Sequence, residues 1–141
     1  MRKEHDDFRL KIRKIRVEEY QSLRKTTSWD LIEDNIVKTA LENDLFSICV
    51  YDNEKLIGMG RVIGDGAIYF YIQDIIVTPE YKGRGVGKLI MSKIELFLNE
   101  TSNNNSFVGL MAVAGVKEFY YKFGYKERPD NRPGMYKIIK H

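Results

Sequence analysis

The sequence is almost without cysteine. Among its 141 residues only Cys49 carries a thiol, so no disulfide can close within the chain and nothing points to secretion. Cys49 lies in the run Leu45-Phe46-Ser47-Ile48-Cys49-Val50, where a thiol reads as a small buried hydrophobe rather than a nucleophile or ligand. No apolar stretch approaches the length of a membrane span. The charged start Met1-Arg2-Lys3-Glu4-His5-Asp6-Asp7 has no apolar segment behind it, so no signal peptide is expected and the location is expected to be cytoplasmic. A basic stripe is also missing: 23 basic and 20 acidic residues are interspersed to a net charge of +3, which argues against nucleic acid as a partner. Neither an internal repeat nor a linker divides the chain. A hydrophobic content of 43% suffices for one continuous core, so residues 1–141 are expected to form a single domain.

What is present is a clear succession of periodicities. Residues 8–15 alternate apolar and basic side chains, the pattern of a strand with one wet face. Residues 17–25 read as a short helix, and Asp30-Leu31-Ile32-Glu33 has the form of a capping box opening a second helix to about Leu41. Strands are predicted at 46–51, 55–63 and 67–77, with turn signals at Asp52-Asn53-Glu54 and Gly64-Asp65-Gly66. Val86, Leu89, Ile90, Ile94, Phe97 and Leu98 then recur at helical spacing, placing a long helix over about 85–99. A strand at 107–113, a helix carrying Val116, Phe119, Tyr120 and Phe123, and a last strand near 135–140 complete the chain. The order β, α, α, β, β, β, α, β, α, β specifies an α/β (α+β) domain with a mixed, mostly antiparallel central sheet of six to seven strands and about four helices.

Between the strand ending Ile75-Ile76-Val77 and the long helix lies Lys82-Gly83-Arg84-Gly85-Val86-Gly87. The first amides of a helix lack intrahelical acceptors and the helix dipole favours negative charge there, so a glycine-rich turn at that point is an anion cradle. It is not a Walker A loop: Lys82 stands where the first glycine should be, and Leu89 follows Lys88 in place of a hydroxyl residue. The alternating Gly83, Gly85 and Gly87 also miss the dinucleotide spacing, and the turn follows an antiparallel meander.

The pattern basic-x-x-Gly-x-Gly at a strand-to-helix junction, together with the element order, resembles the GNAT superfamily of acyl-CoA N-acyltransferases over nearly the whole chain. The resemblance implies that the amides of Lys82, Gly83, Arg84, Gly85, Val86 and Gly87 bind the pyrophosphate of acetyl-CoA, Lys82 standing where glutamine or arginine is usual. It implies strands four and five that are parallel and splayed, with the pantetheine arm and thioester oxygen held by main-chain groups at Ile75, Ile76 and Val77. Phe119-Tyr120-Tyr121-Lys122-Phe123-Gly124-Tyr125 resembles a second family segment, which assigns Tyr120 to the leaving thiolate as proton donor. Asparagine is frequent in the family where Ala114 stands here. Neither a metal nor a covalent enzyme intermediate is expected.

The amine must lose a proton. Asp74 follows Gln73 within an otherwise apolar strand, so at least one of the two meets a covered face unless the strand bulges. A desolvated carboxylate gains basicity, which makes Asp74 the first candidate base; a structural anchor for neighbouring backbone is the other reading. Tyr69 and Tyr71 are alternatives that could order a relaying water. Family resemblance places Arg24, Trp29, Tyr69 and Tyr71 near the acceptor. The expected function is acetyl transfer from acetyl-CoA to a primary amine of a small molecule or peptide, by direct attack in a ternary complex. A non-catalytic acyl-CoA-binding or regulatory module is the alternative, and a homodimer is left open.

Overall fold

The computed structural model describes residues 7–113 and 115–141. The expectations for residues 1–6 and Ala114 lie outside that set. The chain divides into two compact units, one reaching Leu110 and the other Met111–His141.

The first unit is built on one sheet in the order β1-β2-β3-β4-β5. Its elements are β1 (Arg9–Ile12), α1 (Val17–Arg24), α2 (Asp34–Glu42), β2 (Phe46–Asp52), β3 (Lys55–Gly64), β4 (Tyr69–Val77), α3 (Val86–Thr101) and β5 (Phe107–Gly109). The first four strands form an antiparallel meander, and α3 carries the chain across to β5, which pairs parallel with β4. Among the described residues the sheet therefore has five strands where six to seven were expected. β5 ends at Gly109 rather than at residue 113, because its ladder to β4 ends there. Residues 135–140 form no strand: Met135, Tyr136, Ile138 and Ile139 are exposed, and β-patterned sequence becomes a strand only where a ladder partner exists.

Alternate residues of β3 sort the two faces of the sheet. Met59 joins Tyr20, Leu23, Val37, Leu41, Cys49, Tyr51 and Ile76 in the core beneath α1 and α2. Gly58 and Gly60 point the other way, against Val86 and Ile90 of α3. A β-carbon on Gly60 would stand 2.6 Å from Ile90 Cγ2 and 3.3 Å from Ile94 Cδ1, so α3 rides directly on the β3 backbone.

The predicted capping box at Asp30 does not start α2, whose cap is Glu33. The side chain of Gln21 donates 2.6 Å to the Ile32 carbonyl and 2.9 Å to Asp34 Oδ1. Bonding to α1 thus holds the stretch before Asp34 outside the helix. Cys49 is fully buried, and desolvation together with the Glu19 charge pushes its thiol up to about 11, which keeps it protonated at neutral pH.

Glu19, in the first turn of α1, links strand and helix. It receives Arg13 Nη1 at 2.9 Å, Arg13 Nη2 at 3.0 Å and the Arg16 amide at 3.0 Å, and the Tyr51 hydroxyl also donates to it. Burial alone would push this carboxyl up. The bonds from Arg13, Tyr51 and Arg16 overrule that and hold it at about 2.

Among the described residues of the second unit, one short helix, α4 (Lys117–Tyr121), is followed by Gly124 at φ 94°. Lys117 pairs with Glu127 at 3.2 Å, and the Tyr121 hydroxyl donates to the same carboxylate at 2.5 Å. No described helix is long and apolar enough to cross a membrane.

Gly60→Ala is expected to lower Tm by roughly 3–10 °C, from about 1–3 kcal/mol of overpacking, measured by differential scanning calorimetry. For Glu19 the sign follows from a depressed carboxyl: its contribution is complete above the ordinary value of 4.5 and disappears as pH falls towards about 2. The urea midpoint of the wild type should therefore converge on that of Glu19→Gln as pH is lowered from about 5 to about 2.5. A constant gap would exclude this linkage.

Candidate functional site

Two backbone features of the first unit lie in succession along the chain. β4 carries a bulge, and the segment after β4 makes the glycine turn into α3.

The bulge is visible in the register. Arg61 pairs with Gln73 and Met59 with Ile76, so Asp74 and Ile75 together oppose Gly60. Asp74 adopts φ 59°, a left-handed conformation that costs a residue with a β-carbon of order 1 kcal/mol or more. Of the consecutive polar pair, Asp74 is buried and Gln73 half-buried. On the other edge of β4 the parallel ladder pairs Tyr69 with Phe107, Phe70 with Val108 and Tyr71 with Gly109, and goes no further. Beyond Tyr71 that edge of β4 has no strand partner among the described residues, so strands four and five part there.

Asp74 is 4% exposed, and its Oδ2 accepts Arg61 Nη1 at 2.8 Å and the Tyr20 hydroxyl at 3.1 Å. Arg61, 6% exposed, also donates Nε to Asp44 Oδ2 at 3.1 Å and Nη2 to the Ala40 carbonyl at 3.0 Å. Asp44 in turn accepts Lys14 Nζ at 2.8 Å and the Ser47 hydroxyl at 2.5 Å. Asp74 is thus tied to the side chains of Arg61 and Tyr20. Sequence reasoning passed over Arg61, Asp44 and Tyr20. A lone arginine within the apolar run of β3 was the available signal, because a charge on a covered strand requires a partner.

The structure brings Arg24 and Trp29 together. The Arg24 guanidinium lies 5.5 Å from the Trp29 ring centroid, and its Nε and Nη1 donate to the Asp30 carbonyl at 2.7 Å and the Tyr20 hydroxyl at 2.9 Å. Tyr69 is 59% exposed and sits edge-on to Phe107, with centroids 6.2 Å apart. Tyr71 is half-buried; burial first, and then the Asp74 charge, push its phenol above the ordinary tyrosine range.

The turn begins where the Thr78 amide bonds the Ile57 carbonyl at 2.9 Å, and a 3-10 turn over Pro79–Tyr81 leads to Lys82. The buried Thr78 Oγ1 has no hydrogen-bond partner among the described residues. Gly83 at φ 78° and Gly85 at φ 87° flank Arg84, and Gly85 caps α3. Nothing lies within 4 Å of a β-carbon built on either glycine, so backbone conformation rather than crowding calls for glycine there. Left-handed residues before a helix turn successive amides to one side, which makes a nest for an anion. The Tyr81 hydroxyl donates 2.5 Å to Asp52, and the Arg84 guanidinium lies 4.6 Å from the Tyr81 ring centroid, steadying the turn against the β2–β3 hairpin.

Tyr120 belongs to the second unit. Its ring meets Phe119 edge-on at 5.0 Å and Tyr125 at 6.4 Å, and burial pushes its phenol above the ordinary range. Among the described residues no group of three or more His, Cys, Asp or Glu could hold a metal ion.

Residues 43–127 match the acetyltransferase (GNAT) domain family. The chain is 36% identical over 83 residues to the chloroplastic GCN5-related N-acetyltransferase 2 of Arabidopsis thaliana, covering 59% of this chain and 31% of that one. It thus spans about a third of that relative's length. The Staphylococcus aureus protein SA2161, a probable acetyltransferase, superposes with a TM-score of 0.86 at 34% identity, covering 95% of this chain and 99% of that one. The fold is shared with the aminoglycoside N-acetyltransferase AAC(6')-Iy, solved in complex with CoA, at a TM-score of 0.66 and 17% identity, covering 93% and 95% of the two chains.

Proposed function

This chain belongs to the GNAT acetyltransferase family, and on that premise we propose that it transfers an acetyl group from acetyl-CoA to a primary amine of a small molecule or peptide. The observation that carries the reading is the nest at Gly83 and Gly85, which follows directly on a β4 edge that its parallel partner leaves open. A donor with a pyrophosphate and an amide-bearing arm suits both: anionic oxygens for the nest, strand-like hydrogen bonds for the edge. CoA bound to a protein of the same fold supports the choice of donor.

In this reading the amides of residues 82–87 hold the pyrophosphate, and main-chain groups of Ile75, Ile76 and Val77 hold the arm and the thioester oxygen. The neutral amine attacks the thioester carbon, negative charge develops on that oxygen, and the β4 amides stabilise it. The C–S bond then breaks and the departing thiolate takes a proton, for which the family segment that residues 119–125 resemble assigns Tyr120 as donor. Water ordered by Tyr69 and Tyr71 takes the proton of the amine, while Asp74 holds the strand. Arg24 and Trp29 line the acceptor side. All 141 residues are read as one N-acetyltransferase domain.

The test is thiol release from acetyl-CoA across an amine panel: release that depends on the amine supports transfer. Tight CoA binding without transfer would favour the non-catalytic module instead. Tyr120→Phe should lower kcat about 100-fold with CoA affinity kept, as read by stopped-flow and calorimetry; normal turnover would remove the acid role. Gly85→Val places a β-branched residue at φ 87°, and should weaken CoA binding about tenfold in a protein that still folds. Unchanged affinity would count against the nest.

A further inference from the structure

The β4 bulge needs something to hold it. Aspartate at φ 59° is strained, and its carboxylate is almost wholly withdrawn from water. The Tyr20 hydroxyl donates to it at 3.1 Å, and the cation that balances its charge is Arg61 Nη1 at 2.8 Å. Arg61 is itself fixed from two further sides, by Asp44 just past the end of α2 and by the Ala40 carbonyl. It stands on β3, next to Gly60, the residue that the bulge doubles against.

We propose that Arg61 is a positioning residue for acyl transfer: its fork locks Asp74 in the left-handed bulge and so aims the main chain of residues 75–77 away from the β5 ladder, where the thioester oxygen is to be held. The proposal rests on the preceding reading of β4. Arg61 touches neither donor nor acceptor in this account. It acts through the conformation of Asp74, so a glycine at position 74, which adopts positive φ without a partner, should make it dispensable.

The experiment compares Arg61→Met with Arg61→Met/Asp74→Gly. The single variant should lose kcat about tenfold or more while CoA affinity, set by the turn, stays within about twofold. Its crystal structure should show residue 74 outside the left-handed region. The double variant should regain most of the lost kcat, with positive φ restored at 74. General destabilisation would move Tm but would give no such rescue. A double variant as slow as the single one, or a single variant that keeps its kcat or keeps positive φ while slow, overturns the proposal. If Arg61→Met does not fold, Arg61→Lys and Arg61→Lys/Asp74→Gly are compared by the same measurements. Should the wild type transfer to no amine, the reading of function fails alone, because the φ at residue 74 in the variant crystals still decides whether Arg61 holds the bulge.

Discussion

A guanidinium withdrawn from water between two carboxylates is the constraint on which the first unit depends. Arg61 joins β4, through Asp74, to the α2–β2 junction, through Asp44 and Ala40. Such a group adds little net stability compared with an apolar core of the same volume, because each ion gives up its hydration. What it adds is uniqueness. Few arrangements of β3, β4 and α2 satisfy the fork, and leaving any acceptor without its donor is costly. Lys14, Ser47 and Tyr20 complete the set from other elements, so the network ties the whole face beneath α1 and α2 to one local geometry.

The bulge next to the open strand edge is held by this arrangement, while the glycine turn owes its shape to the positive φ of Gly83 and Gly85. Both are made of main chain: amides of the turn, and amides and carbonyls of β4. In the proposed reading lysine at position 82 needs no special role, since a cradle of backbone donors depends on φ and ψ more than on the side chain beside it. Chemistry that does need side chains falls to Tyr120 and to the acceptor face in the proposed reaction.

Much of this was legible in the sequence, and the reasons differ by element. Periodicity revealed α3 through its one buried stripe, and β2 and β3 stood out as apolar runs bounded by turn signals because both of their faces are covered. Gln73-Asp74 left two outcomes open, a polar side chain on a covered face or a bulge, and Asp74 shows both. Asp30-Leu31-Ile32-Glu33 satisfied a local capping rule, yet Gln21, on a different helix, claimed the Ile32 carbonyl. The apolar run at 107–113 gives only three strand residues because the chain parts from β4 after the Tyr71–Gly109 pair, although β4 itself continues to Val77. Arg61 was visible as a charge within the apolar run of β3, but its partners Asp44 and Asp74 lie 17 and 13 residues away and come together only in the fold.

The contact between β3 and α3 has a further consequence. Gly58 and Gly60 let Val86 and Ile90 settle onto the strand backbone, so the first turns of the helix that opens from the nest are seated on the same strand that faces the bulge. The nest and the strand edge are therefore two marks on one rigid ruler. A donor gripped at both marks would have its reactive end located by its own length, and the distance along its arm would be read before any acceptor arrives.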